Sequence, residues 1–313
     1  MIGIVDQGPD ELKPGAVCYE LCMKGILADL VSLLRLERID RDLFRGRSQD
    51  LGWGAIFGGQ VVGQALSAAA QTVGSGRIVH SLHGYFMRAG DVRGSIVYQI
   101  DRLRDGKSFS TRRVAAVQEG EAIFSLEASF QSDEEGLDHQ EAMPEVPAPE
   151  TLRSERELGA ALAAQLPPHL LARATAERPI EIRPVEVRDP FHPVATSARR
   201  RAWYRAIDQL PDDPALHRYL LAYASDFAFL GTALDPHAMS WLTPGLQMAS
   251  LDHVMWFHRP FRLDDWLLYV VDSPSASGAR GLVRGQFFDR AGRLVASTAQ
   301  EGLIRRRRTI NVP

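Results

Sequence analysis

Cysteine and lysine are both scarce in this chain. It has two cysteines, Cys18 and Cys22, and three lysines, Lys13, Lys24 and Lys107, among 313 residues. Two cysteines cannot make a disulfide framework, which fits a reducing cytoplasm. They stand four apart with no second cluster of ligand residues, so no metal is expected. No apolar run reaches the roughly 18 residues that a membrane-spanning helix needs. The N-terminus lacks a basic region followed by an apolar core, so no signal peptide is expected and the chain is assigned to the cytoplasm. The formal net charge is only −3, so no global attraction to nucleic acid or a membrane surface is expected. A Gly-x-Ser-x-Gly nucleophile motif is also missing, which argues against an α/β-hydrolase.

What is present is an ordinary globular composition, 45% hydrophobic and 24% charged, long enough for one large domain or two smaller ones. The most informative stretch is residues 214–234. Pro211-Asp-Asp-Pro214 supplies a helix start, with Asp213 as N-cap and Pro214 at the first helical position. Leu216, Leu220, Tyr223, Phe227, Leu230 and Leu234 recur at spacings of three and four, and the other faces are apolar too. The pattern predicts one long buried helix with a single carboxylate, Asp226, in its middle. A carboxylate there costs several kcal/mol, on the order given for buried ions, unless polar groups receive it or chemistry requires it.

Taken in order, residues 1–27 read as an irregular leader, and Met23 is an alternative start. Ile26–Arg38 reads as a short amphipathic helix. Gly52-Trp-Gly-Ala-Ile-Phe-Gly-Gly-Gln60 opens a small-residue helix over 59–73, expected to lie close against a sheet. Its glycines have neither P-loop nor Rossmann spacing. Strands follow at Ile78–Arg88, Gly94–Leu103, Phe109–Glu119 and Glu121–Gln131, separated by turn signals. Residues 132–198 are rich in proline and acid and read as a surface linker. Arg199–Ala206, the 214–234 helix, then Leu251–Arg259, Trp266–Ser273, Gly281–Asp289 and Leu294–Ile304 repeat the first pattern. Residues 305–313 read as a solvated basic tail. Ser81-Leu-His83 resembles Ser250-Leu-Asp252, and Phe86-Met-Arg88 resembles Phe257-His-Arg259. A helix-plus-sheet unit that occurs twice, at 28–131 and 199–304, predicts an α+β fold with the two sheets joined edge to edge about a pseudo-two-fold.

Several stretches in order carry a family resemblance. They are Phe57-Gly-Gly-Gln60, His80-Ser-Leu-His-Gly-Tyr-Phe-Met-Arg-Ala-Gly90, Ala222-Tyr-Ala-Ser-Asp226, Met248-Ala-Ser-Leu-Asp-His-Val-Met-Trp-Phe-His-Arg-Pro-Phe261 and Val295-Ala-Ser-Thr-Ala-Gln-Glu-Gly302. Together they resemble the acyl-CoA thioesterase II family over roughly residues 28–304. The resemblance implies a double hotdog, in which each antiparallel sheet wraps a central helix. It implies hydrolysis of fatty acyl-CoA to fatty acid and CoA, and assembly into dimers or tetramers. It also implies three catalytic positions, matched here by Asp226, Ser250 and Gln300.

The chemistry of those residues suits the reaction. Water can attack a thioester directly, with Asp226 as general base and no cofactor. Ser250 and Gln300 can hold that water. Backbone N–H groups at Gly58, Gly59 and Gln60 are candidate oxyanion donors from the opposite half. His80 is a further substrate-site candidate, although it, His83, His253 and His258 each read more readily as structural. Asp252 and His253 are adjacent on a strand, so their side chains face opposite ways. Two rival readings remain open at this point. A hotdog enoyl-CoA hydratase would use an aspartate and histidine five apart, a spacing that Asp212 and His217 have. A non-catalytic acyl-CoA sensor would not need a buried carboxylate.

Overall fold

A computed structural model describes residues 25–306. The leader through residue 24, with Cys18, Cys22 and Met23, and the tail from residue 307 lie outside the described residues. The first half runs α1 (Ile26–Leu34), β1 (Glu37–Asp40), β2 (Leu43–Gly46), α2 (Gly58–Ala70), β3 (Arg77–Phe86), β4 (Ile96–Asp105), β5 (Phe109–Gln118) and β6 (Glu121–Ser132). Helices α3 (Glu155–Ala161) and α4 (Pro168–Thr175) follow. The second half contains β7 (Ile180–Pro184), β8 (Arg199–Ala206), α5 (Pro214–Ala224), a 3-10 helix (Leu230–His237), β9 (Leu246–Ser250), β10 (Asp252–Phe257), β11 (Leu267–Ser277), β12 (Arg280–Asp289) and β13 (Leu294–Arg306). No helix among the described residues is long and apolar enough to cross a membrane.

The strands form one 13-stranded sheet in the order β1-β2-β4-β5-β6-β3-β10-β13-β12-β11-β8-β7, with β9 also pairing with β13. Read outward from the middle, the two halves have the same strand order. They join where β3 and β10 run antiparallel, Ser81 opposite Trp256 through Tyr85 opposite Asp252. The pseudo-symmetry shows in detail. The N–H groups of Met87 and Arg88 both reach Ile123 O, and those of His258 and Arg259 both reach Val295 O. This supports the match of Phe86 with Phe257. The match of Ser81 with Ser250 is two positions out. The irregularity at His80 in β3 corresponds to the break at Leu251 between β9 and β10, the same separation that relates Phe86 to Phe257.

The sheet curls around α2 and α5, which pack on each other. One apolar core runs through both halves, from Leu66 and Leu82 to Leu220, Phe287 and Val295. Helix α5 starts where expected: Asp213 Oδ1 accepts the Ala215 N–H at 3.0 Å, and Pro214 occupies the first turn. It does not run to residue 234. It stops at Ala224, and a turn carries Ser225 to Phe229, with Ala228 in the left-handed region at φ 57°. That conformation costs a non-glycine residue about 1–2 kcal/mol. Buried tyrosines receive the turn's carbonyls, as buried backbone polar groups require: Tyr269 OH donates to Ser225 O at 3.2 Å and Tyr204 OH to Phe227 O at 3.1 Å. Asp226 therefore projects from this turn rather than from mid-helix.

The glycines of α2 also have a different reason from the one expected. Gly59 and Gly63 face α5, while Gly58 meets Asp226 and Phe86 of β3. A Cβ on Gly59 would collide with Tyr223 O, and one on Gly63 would stand 3.1 Å from Tyr219 O. Small side chains there let the start of α2 lie against the end of α5.

The segment at 132–198 is bound along much of its length. Trp203, Trp266, Leu268, Phe288 and Leu294 form a second apolar cluster, covered by Met143, Val146 and Leu152 from that segment. Trp203 Nε1 donates to Pro147 O at 3.0 Å, Gln140 bridges Gly292 and Leu294, and Arg259 pairs with Asp138. Strand β7, from the same segment, forms the outer edge of the sheet beside β8. At the other end, Arg305 and Arg306 continue β13 opposite Gln247 and Leu246 instead of starting a free tail.

Candidate active site

The turn after α5 brings Asp226 to the N-terminus of α2, at the junction of the halves. Its Oδ2 accepts the Gly59 N–H at 2.9 Å. A Cβ on Gly58 would stand 2.7 Å from the same oxygen, so the carboxylate rests directly against the backbone of α2. An apolar wall surrounds it. Phe57 stacks on Phe227 with centroids 4.4 Å apart and meets Tyr223 edge-on at 5.3 Å. Phe86 closes on Gly58 from β3. Arg178, just before β7, lies 5.8 Å above the Phe227 ring.

Burial pushes the Asp226 carboxyl up from 3.8 to about 7, because lost hydration penalises the charged form most. Contacts with Gln300 and with the Gly59 N–H oppose that shift. The residue as a whole keeps a partly open face. Such a group can exchange a proton near neutral pH and still be reached by substrate.

Gln300 comes from β13 and is 2% exposed. Its Nε2 donates to Ser250 Oγ at 2.7 Å, and its side chain also interacts with Asp226, favouring the charged carboxylate. Ser250 is the last residue of β9, before the break at Leu251, and not the start of the following strand. Asp226, Ser250 and Gln300 therefore meet although they come from a turn and two strands. Gln300 Oε1 lies 2.6 Å from His253 Nδ1, and His253 Nε2 lies 2.9 Å from Ser225 Oγ. The sequence reading left His253 and Ser225 out of the site. The available signal was position: Ser225 adjoins Asp226, and His253 is on the inward face of β10, opposite in direction to Asp252 as alternation requires.

The remaining candidates divide. Gly58 and Gly59 line the carboxylate. The Gly59 N–H is committed to Asp226 and the Gln60 N–H to Phe57 O, which leaves the Gly58 N–H as the donor that these bonds do not occupy. The Gln60 side chain turns away, donating to Arg47 O at 3.1 Å while its Oε1 accepts the Gln49 N–H at 3.1 Å. His80 bonds Ser129 Oγ at 2.8 Å and packs edge-on against Phe109. It is about 20 Å along β3 from Phe86, at 3.3 Å per residue, and is not brought to Asp226. Asp212 and His217 do not form a dyad. Asp212 pairs with Arg262 at 3.0 Å, and His217 Nδ1 accepts the Leu263 N–H at 3.0 Å.

The first half has no matching carboxylate at the end of its own helix. There Arg112, 1% exposed, donates to Thr72 Oγ1 at 2.9 Å, to Thr72 O at 3.0 Å and to Asp105 at 2.7 Å. A guanidinium fills that end, so the two halves differ in chemistry although they share a fold.

Known proteins carry the same architecture. An acyl-CoA thioesterase profile matches residues 170–303, and a profile for the acyl-CoA thioesterase N-terminal domain matches residues 47–131. The acyl-CoA thioesterase 2 of Haemophilus influenzae is 45% identical, covering 90% of this chain and 99% of its own. Human acyl-coenzyme A thioesterase 8 is also 45% identical, covering 88% of each chain. The crystal structure of the acyl-CoA thioesterase II TesB2 from Mycobacterium marinum superposes with a TM-score of 0.73 at 41% identity, covering 91% of this chain and all (100%) of that one. A hot dog fold protein of Alicyclobacillus acidocaldarius, only 19% identical, reaches a TM-score of 0.70 over 88% of this chain and 98% of its own, a likeness of fold. With its double hotdog and near-full-length similarity, the chain belongs to the acyl-CoA thioesterase family.

Proposed function

We propose that this chain hydrolyses fatty acyl-CoA thioesters to free fatty acid and CoA, with Asp226 as general base. The observation that carries the reading is the carboxyl of Asp226, raised to about 7 by burial, in contact with Gln300, which is itself bonded to Ser250. A base is most effective when its pKa lies near the working pH. Asp226 takes a proton from water as the water oxygen attacks the thioester carbon. Ser250 and Gln300 hold that water and set its direction of attack. The C–S bond then breaks, and CoA leaves as the thiol or thiolate. Negative charge on the carbonyl oxygen during attack is met by the positive end of α2, where the Gly58 N–H is left as a donor once those of Gly59 and Gln60 are committed. No covalent intermediate or cofactor is required by these steps.

The test is thiol release from palmitoyl-CoA by wild type and by Asp226→Asn. The variant keeps the shape but cannot accept the proton. Its kcat is expected to fall roughly 100-fold or more, with binding retained. Turnover near that of wild type in a folded Asp226→Asn protein would exclude the assignment, and a wild-type protein that binds acyl-CoA without releasing thiol would make it a sensor.

A further inference from the structure

His253 is wholly buried, 0% exposed, and yet bonded at both ring nitrogens. Its partners lie on two elements: Ser225 in the turn that carries Asp226, and Gln300 on β13. Each contact has two possible polarities, and those choices are coupled. Asp226 as a base is an ionised carboxylate, which accepts and cannot donate. Gln300 can serve it only with its amide N–H. The Nε2 of Gln300 therefore faces Asp226 and Ser250, and Oε1 faces His253 Nδ1 at 2.6 Å. Two bare acceptors at that distance would repel, so Nδ1 must carry the hydrogen.

The other ring nitrogen is then decided. Burial lowers the imidazole pKa to about 4, so the ring is neutral and holds one N–H. Nε2 is a bare acceptor. Ser225 Oγ has three acceptors for its single hydroxyl hydrogen, Ala222 O at 2.9 Å, His253 Nε2 at 2.9 Å and the weaker Met255 Sδ at 3.4 Å. With Nε2 bare, that hydrogen goes to the ring. The chain of donation runs in one direction, from Ser225 to His253 to Gln300 to Asp226 and Ser250. If the amide of Gln300 were inverted, it would place an oxygen against the carboxylate, and the ring would have to carry its hydrogen on Nε2 instead.

We infer that His253, braced by Ser225, is a positioning residue that locks the amide of Gln300 with its N–H groups toward Asp226 and Ser250. This inference rests on the proposed role of Gln300 in holding the attacking water, and it adds to that role the device that orients the amide. Both ring nitrogens of His253 are taken, by Ser225 and Gln300. The residue acts through Gln300.

Two measurements test the inference. The first needs no variant: nitrogen NMR of the histidine-labelled protein is expected to show His253 neutral with the hydrogen on Nδ1. The Nε2–H tautomer, or a charged ring at neutral pH, would overturn the inference. The second is kinetic. His253→Leu is expected to lower kcat about tenfold or more while KM stays within about twofold, and His253→Asn, whose Nδ2 can donate from nearly the position of Nδ1, is expected to recover most of that loss. In a Gln300→Ala background, His253→Leu should cost nothing further. Multiplying losses in the double variant, or full kcat in folded His253→Leu, would sink the positioning role alone. Wild-type turnover by Gln300→Ala would instead remove the water-holding role on which it rests. If His253→Leu does not fold, the tautomer and the His253→Asn kinetics decide.

Discussion

Gly59 donates its backbone N–H to Asp226 Oδ2 at 2.9 Å, across 167 residues of sequence and across the junction of the two halves. Neither half alone contains this contact. The donor belongs to the first turn of α2 and the acceptor to the turn that ends α5. Charge on Asp226 is helped by the N-terminal end of α2 and opposed by burial. Burial prevails, since the carboxyl is raised to about 7.

The close approach leaves no room for a side chain on α2. In Gly59→Ala the new methyl would meet Tyr223 O, which is backbone and cannot swing aside. The two helices must separate or the variant must unfold. A loss of about 1–3 kcal/mol, typical of overpacking, is expected together with a large fall in kcat, because the Asp226 contact moves with the helix. Thermal unfolding and thiol release on the same preparation check both. A Gly59→Ala protein with unchanged melting temperature and turnover would contradict the packing.

Much of this arrangement was legible in the sequence. The duplicated helix-plus-sheet pattern predicted the two central helices and the continuous sheet, because long alternating strands such as Phe109–Gln118 announce themselves. The short strands β1, β2, β7 and β9 were not foreseen, being four or five residues long with too few positions to show a period. The break after Ala224 was hidden for another reason. Its stretch, Ser225 to Phe229, has no glycine or proline, and the left-handed residue is an alanine held by tertiary contacts. Asp226 stood out as a lone carboxylate in an apolar stretch, its grouping with Ser250 and Gln300 came through resemblance, and the structure brings the three together. His253 could not be read from spacing, because its part depends on which way each of two hydrogen bonds points.

The raised pKa of Asp226 sets the pH dependence of turnover. A base works only when deprotonated, so log kcat/KM is expected to rise with a slope near one up to about pH 7 and then level off. Initial rates in constant-ionic-strength buffers from pH 5 to about 9 measure this, within the range over which the fold holds. A plateau already complete at pH 5 would mean that the carboxyl titrates where an exposed aspartate does.

The same shift makes a separate claim on stability. The folded-state pKa, about 7, is above the unfolded value near 3.8. Between those values the folded protein holds a proton that the unfolded chain has released, so this group's contribution to stability falls as pH rises and is constant above about 7. Asp226→Asn has no such proton. It should match wild type near pH 4 and exceed it above pH 7 by on the order of 1–3 kcal/mol, as seen in denaturant midpoints. A variant less stable than wild type at pH 8 would contradict the assigned burial.

The bond from Gln300 Nε2 to Ser250 Oγ makes these two residues one unit, and their losses should reflect that. Each single variant, Ser250→Ala or Gln300→Ala, removes one of the groups proposed to hold the attacking water. Once either is gone the water is already free to rotate, and removing the second has less left to disturb. Residues on separate tasks multiply their effects on kcat; residues on one water do not. If each single variant lowers kcat about 10- to 100-fold, the double variant is expected to fall short of the product by at least several-fold. KM for palmitoyl-CoA should change little, because neither group is assigned to the acyl chain or the nucleotide. Effects that multiply fully would place Ser250 and Gln300 in different roles, even with Asp226 as the base.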